Sequence, residues 1–163
     1  MFADPLKISF EFGFLPGQKV ADFGSGTGHF SMALSRLLGP EGRVYAVDIS
    51  KNALTRLKKI AEDAGRDNID VLLGDIDDPK GSGLKTSSVD GVVLSNIFFQ
   101  LEKPLEALKE AQRVVKPGGR ICAIEWKDKF SEAELIKLAQ SLHLSLHRRL
   151  RAGESHYGLI FNR

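Results

Sequence analysis

An α/β fold, with a doubly wound and mostly parallel sheet that ends in one antiparallel strand, is what this sequence predicts. Three observations carry that prediction. Short apolar runs alternate with longer runs of helical periodicity through most of the chain, turn residues mark each change of period, and the last two apolar runs follow one another with no helix between them. Strand–helix–strand repeats require right-handed crossovers and parallel strands, whereas two strands joined by a short turn pair antiparallel.

The elements follow in order. Asp4 and Pro5 read as a helix cap and a first-turn proline, opening a short segment to Gly13, and Phe14-Leu-Pro-Gly17 then turns into an apolar strand, Lys19 to Phe23. Phe30, Ala33, Leu34, Leu37 and Leu38 share one helical face, stopped by Gly39-Pro40. Arg43 to Val47 is a second strand, and Ser50 caps a helix whose Ala53, Leu54, Leu57, Ile60, Ala61 and Ala64 again lie on one side until Gly65. Asn68 to Leu73 and Val89 to Ser95 read as strands, separated by the longest expected loop, Ile76 to Ser88. Pro104 opens a helix that Lys116-Pro-Gly-Gly119 closes, and Arg120 to Trp126 is the fifth strand. Ser131 with Glu134 is a capping box before Leu135 to Leu142, and Leu144 to Leu150 with His156 to Phe161 predicts a hairpin.

Composition narrows the function classes. With 163 residues, 42% of them hydrophobic, the chain suits one domain over 1–163, with 1–18 as an N-terminal lid or helix segment. A formal net charge of +2 argues against an obligatory nucleic-acid or acidic-membrane partner. The one cysteine, Cys122, suits a reducing compartment. No apolar run approaches the roughly 20 residues of a spanning helix, and Asp4, Lys7 and Glu11 break up the N-terminus, so a soluble, cytoplasmic protein is expected.

The stretch Val20 to Phe30, VADFGSGTGHF, is the first candidate site. A loop that leaves a strand and opens a helix presents unpaired N–H groups and the positive end of the helix dipole. Its spacing, Gly24-Ser-Gly26-Thr-Gly28, misses the dinucleotide pattern GxGxxG because His29 stands at the third glycine. Asp48, at the end of the second strand, can accept both hydroxyls of a ribose, which suits NAD and S-adenosylmethionine alike. Asp75 and Ile76, after the third strand, offer a carboxylate for an exocyclic amine and an apolar side chain for a purine face.

DFGSGTG, the acid in VYAVDIS, LLGDIDD, DGVVLSNIFFQL and RVVKPGGRICAIEW, taken in order, resemble the successive motifs of class I S-adenosylmethionine-dependent methyltransferases. The resemblance runs from about Phe14 to Trp126 and is greatest to the branch of ubiquinone and menaquinone C-methyltransferases and their small relatives. It implies a Rossmann-like, doubly wound sheet of seven strands with helices on both faces, the last strand antiparallel. It also implies S-adenosylmethionine as cofactor, S-adenosylhomocysteine as product, and a small-molecule acceptor methylated by in-line displacement. Carried across by position, Gly24, Ser25, Gly26 and Gly28 surround the methionine portion and Asp22 supports its amino group. Asp48, followed by Ile49, holds the ribose; Asp75 and Ile76 frame the adenine; Ser95 and Asn96 border the methyl group.

The acceptor side is less marked. Methyl transfer from a sulfonium needs alignment and dryness more than a base, and His29, the nearest ionisable group, also reads as a solvated helix start. Ser95-Asn96-Ile97-Phe98 lacks the Asn-Pro-Pro-aromatic turn of the amino-methylating subclass, Cys122 lies inside a strand rather than at its end, and no His and carboxylate set has metal-ligand spacing, so no metal is expected. Phe98 and Phe99 are expected substrate-wall residues, at least one of them. Phe2, Phe10, Phe12 and Phe14 either line a lid over an apolar substrate or pack the first helix onto the sheet. Arg148, Arg149 and Arg151 with His143, His147 and His156 read as a solvated edge hairpin in preference to a phosphate or RNA site. Two other readings compete: a cofactor-binding partner subunit without turnover, and a nicotinamide-dependent oxidoreductase, which fits Asp48 but not His29.

Overall fold

The computed structural model describes residues 4–163, so Phe2 lies outside the described residues. In chain order the elements are α1 (Pro5–Glu11), β1 (Lys19–Phe23), α2 (His29–Leu38), β2 (Arg43–Asp48), α3 (Lys51–Asp63), β3 (Ile69–Leu73), β4 (Val89–Ser95), a 3-10 turn (Phe98–Gln100), α4 (Pro104–Val114), β5 (Val115–Trp126), α5 (Glu132–Ser141), β6 (Ser145–Leu150) and β7 (His156–Asn162). The seven strands form one sheet in the order β3-β2-β1-β4-β5-β7-β6. β1 to β5 pair in parallel and β7 runs antiparallel to both of its neighbours. β7 is inserted between β5 and β6, which makes β6 the edge.

Period-2 alternation divides the core between the two faces. Ala21, Phe23, Val92, Leu94, Ile121, Ala123 and Leu159 point towards α4 and α5, whose Leu108, Ala111, Leu135 and Ala139 cover them. Val20, Val93, Cys122 and Ile160 point the other way, under Phe12 and Phe14 from the α1 end and Phe30, Leu34 and Leu38 of α2. α3 lies against β2 and β3. The expected helix starts are built from side-chain caps: Asp4 Oδ1 accepts from Leu6 N at 3.1 Å, Ser50 Oγ from Ala53 N at 3.2 Å and Ser131 Oγ from Glu134 N at 3.4 Å.

One departure from the sequence reading has a local cause, and the expected long loop has a distant anchor. Lys116-Pro-Gly-Gly119, read as a turn closing α4, lies within β5 as an irregularity: Val89 faces Val115 and Gly91 faces Arg120, so β5 carries extra residues there. The long loop after β3 is tied down by Glu110, which is 2% exposed in α4. Its carboxylate accepts from Ser82 Oγ at 2.5 Å and from Lys80 N at 3.1 Å, and pairs with Arg113 at 2.7 Å.

Topology places the site. The chain winds outward from β1 through β2 to β3 and then returns to the other side of β1 as β4, so the direction of winding reverses between β1 and β4. A crevice opens at such a switch point, beyond the carboxyl ends of the strands.

Candidate functional site

The glycine loop leaves β1 at that crevice and is held by β2. Gly24 N and Ser25 N both donate to Val47 O, at 2.8 and 3.1 Å. Gly24, Gly26 and Gly28 all have positive φ, of 71°, 53° and 87°. At two of them space is also closed: a Cβ on Gly24 would sit 2.7 Å from the Ile97 side chain, and one on Gly28 2.1 Å from Leu57 Cδ1. A Cβ on Gly26 would meet nothing within 4 Å, because that glycine faces open cleft.

Three carboxylates stand around the loop in different states. Asp22, near the end of β1, is 2% exposed and faces α2, where Ser31 Oγ donates to its Oδ2 at 2.6 Å. Burial pushes its carboxyl up to about 6, and the nearby charge of Asp48 adds a smaller push in the same direction. Asp48, the last residue of β2, is oriented by two backbone donors, Gly26 N to Oδ2 and Ser50 N to Oδ1, each at 2.8 Å. A carboxylate has about four lone-pair sites, so both oxygens keep acceptor capacity towards the cleft. Asp75 is exposed, with Oδ1 accepting from Asp77 N at 2.9 Å.

Two adjoining clefts that share Gly24 and Gln100 collect these groups. One, of about 370 Å³, is bounded by Asp48, Ile49, Asp75 and Ile76. Ile76 is 5% exposed and forms part of the apolar core beside Val47, whereas Ile49 is 71% exposed at the rim. The other, of about 620 Å³, is bounded by Asp22, Ser25, Gly26, Ser95 and Asn96 and extends to Phe30, Ile124 and His156. Asn96 has a positive φ of 53°, is fixed by donating its N–H to Ile124 O at 2.8 Å, and accepts from Gln100 Nε2 at 2.9 Å through its carbonyl. Its side-chain Oδ1 and Ser25 Oγ are both buried without a hydrogen-bond partner. Buried polar atoms that lack a partner are costly. Here two of them border one cleft beside an open glycine, as a polar ligand would require.

The phenylalanines divide. Phe98 is 1% exposed and its ring packs on Phe130, 5.5 Å between centroids. Its N–H donates to the buried Glu125 carboxylate at 2.9 Å, and that bond turns the segment after β4 inward, so the structure places Phe98 in the core under α4 and α5 and outside both clefts. Phe99 is 37% exposed with Lys129 Nζ 4.4 Å over its ring, also outside both clefts. Phe12 and Phe14 are buried and form an aromatic cluster with Phe30, at centroid distances of 6.0 Å from Phe12 to each. Phe10 is 64% exposed and lies outside both clefts. Among the first residues it is Pro5 that reaches the larger cleft.

Residues 15–156 match the family model of the methyltransferase domain. The chain belongs to the class I S-adenosylmethionine-dependent methyltransferases. It is 34% identical over 113 residues to the demethylmenaquinone methyltransferase of Lactococcus lactis, covering 69% of this chain and 44% of that protein. It is 32% identical over 119 residues to the enzyme of the same name from Staphylococcus aureus, 73% of this chain and 47% of that one. The chain thus spans less than half the length of these curated relatives. A crystal structure of an S-adenosylmethionine-dependent methyltransferase from Aquifex aeolicus superposes with a TM-score of 0.89 at 26% identity, covering 98% of this chain and 89% of the other.

S-adenosylmethionine is the cofactor of this methyltransferase family, and the acceptors around the loop suit the groups it presents: carboxylates for an ammonium and for ribose hydroxyls, and the unpartnered oxygens of Ser25 and Asn96. Three cleft residues are not among the expected site residues: Gln100 and Phe30 lie within the quoted stretches DGVVLSNIFFQL and VADFGSGTGHF, and His156 lies outside every motif. Gln100 bridges the two halves, Phe30 walls the larger one from α2, and His156 enters from β7. His156 is 1% exposed and is no part of the solvated edge, which β6 forms with exposed Arg148 and Arg149. The signal that could have found it is direction: an antiparallel β7 must begin at the end of the sheet where the parallel strands finish. Among the described residues, no group of three or more His, Cys, Asp or Glu side chains could hold a metal ion, and no helix is long and apolar enough to cross a membrane.

Proposed function

We propose that this protein transfers a methyl group from S-adenosylmethionine to a small hydroxylated aromatic acceptor of the reduced-quinone type. The observation that carries the first half is the convergence of Asp22, Asp48 and Asp75 from three neighbouring strand ends on one continuous pair of clefts. In this reading Asp22 holds the amino group of the methionine portion, and the open face of Gly26 admits the chain beside it. Asp48 accepts the ribose hydroxyls, with Ile49 at the rim. Asp75 and Ile76 receive the adenine edge and face. Ser25 Oγ and Asn96 Oδ1, buried and unpartnered, supply bonds along the way, and Ser95 borders the methyl.

When bound, the sulfonium supplies an activated methyl, and displacement at that carbon needs the acceptor in line and water kept out. The protein's share is therefore largely positional. The larger cleft beyond Ser95 is walled by Phe30 and Ile124, which suits a flat apolar ring. The acceptor class also draws on the relatives, two of which are named for demethylmenaquinone.

Incubation with methyl-labelled S-adenosylmethionine and 1,4-dihydroxynaphthalene, kept reduced under argon, tests the reading. Label is expected in a carbon-methylated naphthalenediol. Label recovered only in unreacted cofactor at saturating acceptor would remove the acceptor class, and would favour a binding subunit without turnover if the cofactor itself still binds.

A further inference from the structure

Six buried side-chain nitrogen and oxygen atoms among the described residues have no hydrogen-bond partner, and two of the six are the ring nitrogens of His156. The residue is 1% exposed and lines the larger cleft. It lies on the same side of the sheet as Asp22: His156 pairs with Trp126 across β5 and β7, Ile124 pairs with Ser95 across β4 and β5, and the alternating positions on these strands line the larger cleft. The ring rests on the indole of Trp126, with 3.9 Å between centroids, which fixes its plane. Burial holds its pKa below the ordinary histidine value, so near neutral pH the ring carries one N–H and one free acceptor nitrogen. A neutral, oriented imidazole with no partner, at the opposite wall from the glycine loop, is a receptor waiting for a hydroxyl.

We propose that His156 binds a ring hydroxyl of the methyl acceptor and takes its proton during transfer. This rests on the acceptor class proposed above and adds the residue that recognises it. The balance is simple. The hydroxyl O–H bond breaks, its proton passes to the free ring nitrogen, and the oxygen's electron pair is delocalised to the neighbouring ring carbon. That carbon bonds the methyl as the methyl–sulfur bond breaks, with the sulfur keeping the pair; the C–H proton is then lost to solvent as the ring regains aromaticity, and the imidazolium returns its own proton to the oxygen. Deprotonation in place raises the nucleophilicity of the carbon, a contribution of about 10²–10⁴-fold for a positioned base.

The test reads binding before it reads turnover. Protein saturated with S-adenosylhomocysteine is titrated calorimetrically with 1,4-dihydroxynaphthalene under argon, for the wild type, H156F and H156Q. Phenylalanine keeps the bulk and the contact with Trp126, while glutamine restores hydrogen bonding but not proton uptake. Affinity for S-adenosylhomocysteine is expected to be unchanged in all three, which reports an intact fold. Affinity for the naphthalenediol should fall at least tenfold in H156F and recover to within about threefold in H156Q, whose methylation rate stays about 100-fold down. Equal affinity of H156F and wild type for the diol would overturn the role of His156 and leave the cofactor reading untouched. Failure of the wild type to bind the diol, with S-adenosylhomocysteine still bound, would overturn both the acceptor class and this assignment.

Discussion

Asp22 shows how one residue makes the site depend on pH. Its carboxyl, ordinarily near 3.8, sits at about 6 because it is buried without a cation beside it. A folded-state pKa raised above the unfolded one gives stability that is complete below the unfolded pKa and is lost as pH rises through the folded one. The ligand-free protein should therefore lose on the order of 3 kcal/mol from this group between about pH 4 and pH 6. D22N should remove that loss: denaturant titrations should find it more stable than wild type at pH 7.5, with the difference vanishing near pH 4. Binding runs the opposite way, since the charged aspartate is what an ammonium wants. The affinity for S-adenosylhomocysteine should rise as pH passes 6 in wild type and stay weak and flat in D22N, and a parallel pH dependence in the two proteins would break the assignment. Asp22, Asp48 and Asp75 stand out in the sequence because each lies within two residues of a strand end next to a turn. Their unequal states were not, since Ser31 lies 9 residues from Asp22 and the Asp48–Gly26 bond spans 22.

At the scale of the elements, the loop from β1 into α2 and the loop after β3 are the two pieces that shape the clefts. The first is fixed by sterics. G28A places a Cβ 2.1 Å from Leu57 Cδ1 at a φ of 87°, so it should cost about 2–4 kcal/mol, read as a melting temperature lower by roughly 5–15 °C. The second loop depends on one buried carboxylate. E110A leaves Ser82 Oγ and Lys80 N without their acceptor and Arg113 without its partner, a loss of about 2–4 kcal/mol. Hydrogen exchange in residues 76–88 should accelerate, while amides of β1 and β4 keep their protection relative to the new global stability. These tertiary ties explain where sequence reading stops. Asp4, Ser50 and Ser131 announce their helices locally, through caps three residues long. Phe98 is turned inward by Glu125, 27 residues later, and nothing in Asn-Ile-Phe-Phe foretells that bond. Lys-Pro-Gly-Gly reads as a turn because its residues favour one, yet pairing with β4 continues on both sides of it and absorbs it into β5.

Over the whole molecule, the alternation of periods was enough to specify the sheet, its parallel run and its antiparallel member, because each strand and helix carries its own pattern. What the pattern does not encode is which end of the hairpin meets the cleft. β7 enters the sheet between β5 and β6 and delivers His156 to the carboxyl ends of β1, β4 and β5, from a tail whose arginines otherwise suggest solvent. The reversal of winding at β1 and β4 then gathers groups from residue 22 to residue 156 into one groove, and the account rests on that groove holding S-adenosylmethionine. Calorimetric titration with S-adenosylhomocysteine at pH 7.5, for wild type and D48A side by side, measures this most directly. Saturable one-to-one binding by the wild type, weakened at least 30-fold in D48A by the loss of the carboxylate that faces the ribose hydroxyls, is the predicted result. No heat at millimolar ligand, or equal binding by both proteins, would contradict it.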